Sequence, residues 1–103
     1  MKLVTIDYIP GQELEALDIV KGTVVYSKNF GRDFMAGMKT LVGGEIVGYT
    51  EMLNEARQIA TKRMVDAAEA LGADAVVNVR YASSSVMQGA AEVVAYGTAV
   101  KFR

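Results

Sequence analysis

The 103-residue chain contains no cysteine and no histidine. Without cysteine there is no disulfide framework, no thiolate metal site and no thiol nucleophile. Without histidine the chain lacks the commonest transition-metal ligand and the side chain best suited to proton transfer near neutral pH. Proline occurs once, as Pro10, and its Gly11 neighbour makes the pair a turn signal. Neither sign of charge dominates: eleven basic and twelve acidic residues leave a net charge of −1. The cations at Lys21, Lys28, Arg32, Lys39, Arg57, Lys62, Arg63 and Arg80 are scattered and form no stripe. A nucleic-acid partner is therefore not expected. The apolar run at Leu3 to Ile6 is too short for a secretory signal, and no later run is long enough to span a bilayer. The expectation is a soluble, cytoplasmic protein with no membrane partner.

What the chain does have is apolar side chains, 51% of residues against 22% charged. A single domain over 1–103 buries roughly 65% of the surface its unfolded chain exposes. So rich an apolar supply in so small a domain predicts that some of it is buried against another copy.

The pattern along the chain predicts an α+β fold. Leu3 to Ile6 reads as a short strand, and acidic 12–18 as a connecting loop. Residues 19–29 are rich in β-branched and aromatic side chains and read as a strand, with Gly22 marking a bulge or a close backbone approach. Phe34, Met38 and Leu41 recur at helical spacing, which predicts a short helix over 32–42 stopped by Gly43-Gly44. The glycine run through Gly48 lacks the Lys-Ser/Thr ending of a phosphate-cradling loop. The stripe Leu53, Ala56, Ala60, Met64, Ala67, Leu71 predicts a long helix from an N-cap at Thr50, with Glu51 at its positive end and Gly72 as its stop.

Residues 75–87 then read as a strand with Val77, Val79 and Tyr81 on one face. Gln88-Gly89 is a hairpin signal, and 91–102 is the last strand. Its slim face carries Ala91, Val93, Ala95, Gly97 and Ala99; its broad face carries Val94, Tyr96, Thr98, Val100 and Phe102. Both faces are largely apolar, so this strand should be central, between 75–87 and 19–29. The alanine-lined helix suits the slim face. The broad face needs a second cover, either the short helix or a neighbouring subunit. The result is a two-layer β-α-β-β unit with a mainly antiparallel sheet.

Several stretches carry a resemblance. Asn29-Phe30-Gly31-Arg32-Asp33, Gly43-Gly44 and Tyr49 do so in the first half. Ala56-Arg57, Gly72-Ala73-Asp74-Ala75-Val76-Val77 and Gly97-Thr98-Ala99-Val100 do so in the second. Over nearly its whole length the chain resembles the YbjQ-like family of small bacterial and archaeal proteins, which carries a heavy-metal-binding label. The resemblance implies a dodecin-like subunit with a three-stranded core sheet. It also implies a ring-shaped homo-oligomer, a pentamer or a multiple, assembled with help from short extra strands. Leu3, Val4 and Ile6 on the extra strand and Val94, Tyr96, Val100 and Phe102 on the broad face are the expected interface.

The residues test the metal label. A soft metal wants thiolate or imidazole, which are absent. Met35, Met38 and Met64 fall on apolar helix faces and read as core filler. A hard cation wants converging oxygens, for which Asp33, Glu51 and Glu55 are the candidates, multiplied by symmetry if the family's ring forms. Arg57 borders the apolar stripe and needs a partner; Asp33 is the expected one, in an ion pair latching the two helices. The functional alternative for Arg57 is an anion or ligand pocket. An enzyme is not expected, because no carboxylate pair is placed for acid–base work and Ser83-Ser84-Ser85 has no nucleophile elbow. Tyr26, Tyr49, Tyr81 and Tyr96 read as core residues or as the lining of small-molecule sites between subunits. The expected function is a ring-forming binding or scaffold protein.

Overall fold

The computed structural model describes residues 1–27, 41–42, 45–87 and 90–103. Strand β1 is Lys2–Leu3, β2 Leu14–Ser27, β3 Leu41–Val42 and β4 Glu45–Ile46. Helix α1 is Val47–Ala70, and strands β5 (Ala75–Met87) and β6 (Ala90–Phe102) follow. The main sheet has the order β1-β5-β6-β2; β6 runs antiparallel to both neighbours, and β1 runs parallel to β5. The last strand is therefore central, between the two strands expected to flank it.

Helix α1 lies on the slim face of β6 and on β2. Ala56, Ala60, Met64 and Ala68 bury into one cluster with Val20, Val76, Val79, Val93, Ala95 and Ala99. Small side chains let the helix axis come close to the sheet, and closest at Gly22. A Cβ there would run into the Ala60 carbonyl and the Met64 amide nitrogen. Of the two roles open to Gly22, close approach is the one it serves. The helix ends at a glycine in the left-handed region, Gly72 at φ 75°. Gly72 N–H donates to the Glu69 carbonyl (2.9 Å) and Ala73 N–H to the Ala68 carbonyl (3.1 Å), the paired bonds of a Schellman cap. Lys101 Nζ donates to the Gly72 carbonyl at 3.1 Å, adding a cation at the negative helix end.

The other end of the helix differs from expectation. It starts at Val47, so Thr50 lies inside the first turn and is not its cap. The apolar stripe starts only at Met52–Leu53, and the turn before it carries no periodic signal. Leu41–Val42, expected to close a short helix, instead pair as strand with Glu45–Ile46. A Gly-Gly pair between two short runs suits a tight hairpin as well as a helix stop. The rest of the expected helix, residues 32–40, and Gly43-Gly44 lie outside the described residues, as does the expected turn at Gln88-Gly89.

Strand β2 begins five residues before the sequence pattern suggested, inside the acidic segment read as a loop. Leu14 pairs with Phe102, Glu15 with Lys101 and Ala16 with Val100, and the register shifts between Ala16 and Asp18. β2 is an edge strand, where charged side chains reach water without breaking the ladder. Opposite charges across it also help: Glu15 Oε1 accepts from Arg103 Nη2 at 3.0 Å.

Strand β5 departs from simple alternation. Val77 pairs with Thr98 and Arg80 with Tyr96, so Asn78 and Val79 together oppose Gly97. Asn78 sits at φ 55°, a left-handed conformation that asparagine tolerates better than most residues. The bulge moves Val79 to the helix side, while Val77 faces the other way with Ala75, Ile9 and Val100. Val77, Val79 and Tyr81 were expected on one face; the extra residue separates Val77 from the others. Gly97 makes room for it, since a Cβ there would come within 2.7 Å of Val76 Cγ1 and 2.9 Å of the Val77 carbonyl.

Candidate functional site

Among the described residues, the broad face of the sheet is covered at one end only. Ile9, buried in the segment after β1, packs over Ala75, Val77 and Val100, with Val4 and Leu14 beside them. Neither expected cover, short helix or second subunit, anticipated this one. The segment is pinned by backbone bonds: Val4 N–H to the Val76 carbonyl (3.1 Å), Val79 N–H to the Val4 carbonyl (2.9 Å) and Asn78 N–H to the Ile6 carbonyl (2.9 Å). Arg80 Nη1 adds a 2.7 Å bond to the Thr5 carbonyl. Asp74 locks the sheet end from the other side. Its N–H donates to the Val100 carbonyl, and its Oδ2 accepts from Phe102 N–H, both at 2.8 Å. The Gly72–Val77 run is thus an architectural motif, closing the helix and tying β5 to β6.

Among the described residues, nothing covers the remainder of the broad face. Cross-strand partners share a face, so Ile19 (opposite Thr98), Tyr96 (opposite Lys21), Val94 (opposite Thr23) and Val25 (opposite Glu92) lie together on it. Ile19 is 75% exposed, Val25 57%, Tyr96 41% and Phe102 38%. Of the residues expected at an interface, Tyr96, Phe102 and Ile6 are exposed, while Val94, Leu3 and Val4 are half-buried. Val100 is 2% exposed, already covered by its own chain. Ile19 and Val25 are the largest additions to this surface. Their alternation with Val20 and Val24 on an edge strand was the signal that could have identified them.

Among the described residues, two further concavities lie on the helix side. One, of about 350 Å³, is an apolar cleft between the end of β2 and the first half of α1, lined by Val24, Val25, Tyr26, Met52, Ala56 and Ile59, with Glu55 the one carboxylate among the described lining residues. The other is a shallow polar hollow between the middle of α1 and β5, into which Arg57 and Tyr81 contribute. Arg57 is half-buried and its Nη2 donates to Asn54 Oδ1 at 2.7 Å. Asp33, the partner expected for it, lies outside the described residues. Tyr26 and Tyr81 thus each line a concavity and Tyr96 stands on the open face, while the side chain of Tyr49 is outside the described ones.

Of the candidate metal ligands, Asp33 lies outside the described residues. Glu51 and Glu55 are exposed one helical turn apart on α1. Among the described residues no three carboxylates cluster to hold an ion. With neither thiolate nor imidazole in the sequence, the donor set does not fit a soft heavy metal. Among the described residues no helix is long and apolar enough to cross a membrane.

Comparison with known proteins places the chain. A family model described as "Putative heavy-metal-binding" matches residues 1–103. A UPF0145 protein of Clostridium novyi (strain NT) is 62% identical over 98% of both chains. A UPF0145 protein of Thermotoga maritima is 59% identical over 98% of this chain and 96% of its own. Neither name states an enzymatic activity. A crystal structure of a protein of unknown function of the DUF74 family, from Pediococcus pentosaceus, superimposes with a TM-score of 0.71, covering 100% of this chain and 98% of that one. At 18% identity that likeness shows the fold alone. The chain belongs to the YbjQ family, the family of the heavy-metal-binding model and of the UPF0145 proteins.

Proposed function

We propose that this chain is a non-catalytic subunit that assembles with copies of itself through the open part of its sheet. The observation that carries the reading is the run of exposed Ile19, Val25 and Tyr96 on one sheet face, continued by Phe102. These side chains stand on paired strands with no cover among the described residues, and a second copy is the cover this reading gives them. Apolar area returned from water stabilises by about 25 cal/mol per Å², so leaving this face wet forgoes a contribution that a second copy supplies. A closed ring, pentameric by family resemblance, meets that need for every subunit. In it Tyr96, Phe102, Val94 and Ile6 form the contact together with Leu3 and Val4, while Val100 acts from beneath.

The metal label enters this reading in restricted form. One chain offers only oxygen donors, so a hard cation held by Glu51 or Glu55 carboxylates from several copies is the form of metal binding these residues allow. A second reading, a small-molecule binder, is supported by the apolar cleft over Met52, Ala56 and Ile59, whose volume suits a small apolar ligand with one polar group facing Glu55. Native mass spectrometry of protein purified from its own host tests all three together. Assembly predicts a defined multiple of the 11.1 kDa chain. A retained mass on each chain favours the ligand reading, and a metal count below one per chain favours a shared cation site. A lone, unliganded chain contradicts the proposal.

A further inference from the structure

The polar hollow beside α1 has no counterpart in the assembly reading. It is lined by Asn54, Arg57, Gln58, Thr61, Lys62 and Tyr81. Five of these are spaced so that they share one helix face, and Tyr81 closes the hollow from β5. Every one of the six side chains can donate a hydrogen bond, two are cations and none is a carboxylate. That composition is unusual in a chain with more acidic than basic residues.

The hollow is also built. Thr61 Oγ1 donates to the Arg57 carbonyl at 2.7 Å and lies 2.7 Å from Tyr81 Oη. With its proton committed to the carbonyl, Thr61 accepts from Tyr81, which fixes the tyrosine at the hollow's wall. The 2.7 Å bond from Arg57 Nη2 to Asn54 Oδ1 holds the guanidinium, and among the described residues no other side chain accepts from its remaining N–H donors. It also leaves the Asn54 amide nitrogen as a donor. Among the described residues the one acid in contact is Asp66, which accepts from Lys62 Nζ at 3.1 Å in a pair exposed on both sides, and so easily exchanged. Half-burial of Arg57 lowers the local dielectric and strengthens its attraction for an anion.

We infer that this hollow binds a small oxyanion, the phosphate or carboxylate group of a soluble ligand. Arg57 is the principal anchor, and Lys62, Gln58 and Asn54 are the further donors. The site lies on the helix side of the sheet, opposite the open face, so assembly through that face leaves it accessible. The proposal and the assembly reading therefore stand or fall separately.

The test is an NMR titration of the full chain with inorganic phosphate, and in parallel with acetate, at constant ionic strength. The expected result is saturable shifts confined to the amides of 54–62 and Tyr81 and to the Arg57 side chain. Saturation with phosphate alone narrows the ligand to phosphate-like anions; saturation with both widens it to any oxyanion. Arg57→Gln should weaken binding at least tenfold and Lys62→Gln several-fold, with Lys2→Gln as the remote control leaving it unchanged. If Arg57→Gln does not fold, Lys62→Gln carries the comparison alone. Linear shifts without saturation, shifts spread over all basic residues, or an unchanged titration in the folded variants would overturn the proposal.

Discussion

At the scale of single residues, two positions govern how the layers meet. Gly22 lets the helix backbone rest on β2, so any side chain there must push the layers apart. Gly22→Ala is expected to cost about 1–3 kcal/mol, read as a lowered urea midpoint with an unchanged slope. An unchanged midpoint would mean that α1 does not cross β2 at this point. Asn78 holds the bulge in a left-handed conformation. Asn78→Gly should leave stability within about 0.5 kcal/mol, while Asn78→Val should lose about 1–3 kcal/mol, because a β-branched residue is strained there. Equal effects of the two substitutions would contradict the bulge. Gly22 was legible from the sequence, since a glycine inside a β-branched run marks either a bulge or a backbone held close to its neighbour. Asn78 was not: Val77, Asn78 and Val79 read as plain alternation, and nothing local distinguishes a tolerated left-handed asparagine from an ordinary strand one.

At the scale of elements, the parts with strong apolar periodicity were legible and the parts without it were not. The Ala56–Ala60–Met64 stripe and the slim face of β6 are set by burial, and the structure follows them. The start of β2 is set by its partner instead. Glu13, Glu15 and Asp18 look like a solvated loop until the C-terminal half of β6 needs a neighbour. Only then does the alternation of Leu14 and Ala16 matter. The Glu15–Arg103 pair sits at that rim, exposed on both sides. Glu15→Gln should therefore cost less than about 1 kcal/mol, and raised salt should shrink even that. A loss of several kcal/mol in a denaturation series would show that the ion pair, rather than the backbone ladder, holds the strand. The first turn of α1 was missed for a related reason. Val47, Gly48 and Tyr49 carry no helical signature of their own and are helical as the extension of a turn that has one.

At the scale of the whole molecule, the sheet has one face covered by α1 and another that, among the described residues, is covered only where Ile9 lies. The sequence already showed the imbalance, as an apolar content too large for one small core and a last strand apolar on both sides. It did not show which part of the broad face the chain covers itself. Ile9 sits alone between Tyr8 and the Pro10-Gly11 turn, so no periodic pattern marks it as a lid for Ala75, Val77 and Val100. The candidate chemistry was legible chiefly as exclusions, because the lack of histidine and cysteine is visible at once. The hollow around Arg57 depends on Tyr81, twenty-four residues away in sequence, and required the fold to be seen.

Sedimentation velocity of the wild-type chain beside Tyr96→Lys tests the central claim most directly. The account predicts a discrete species several times the 11.1 kDa chain mass for the wild type. It predicts a shift toward the single chain for Tyr96→Lys, with the same far-UV circular dichroism. A wild-type chain that sediments as a monomer at micromolar concentration, its open sheet face in water, would contradict it.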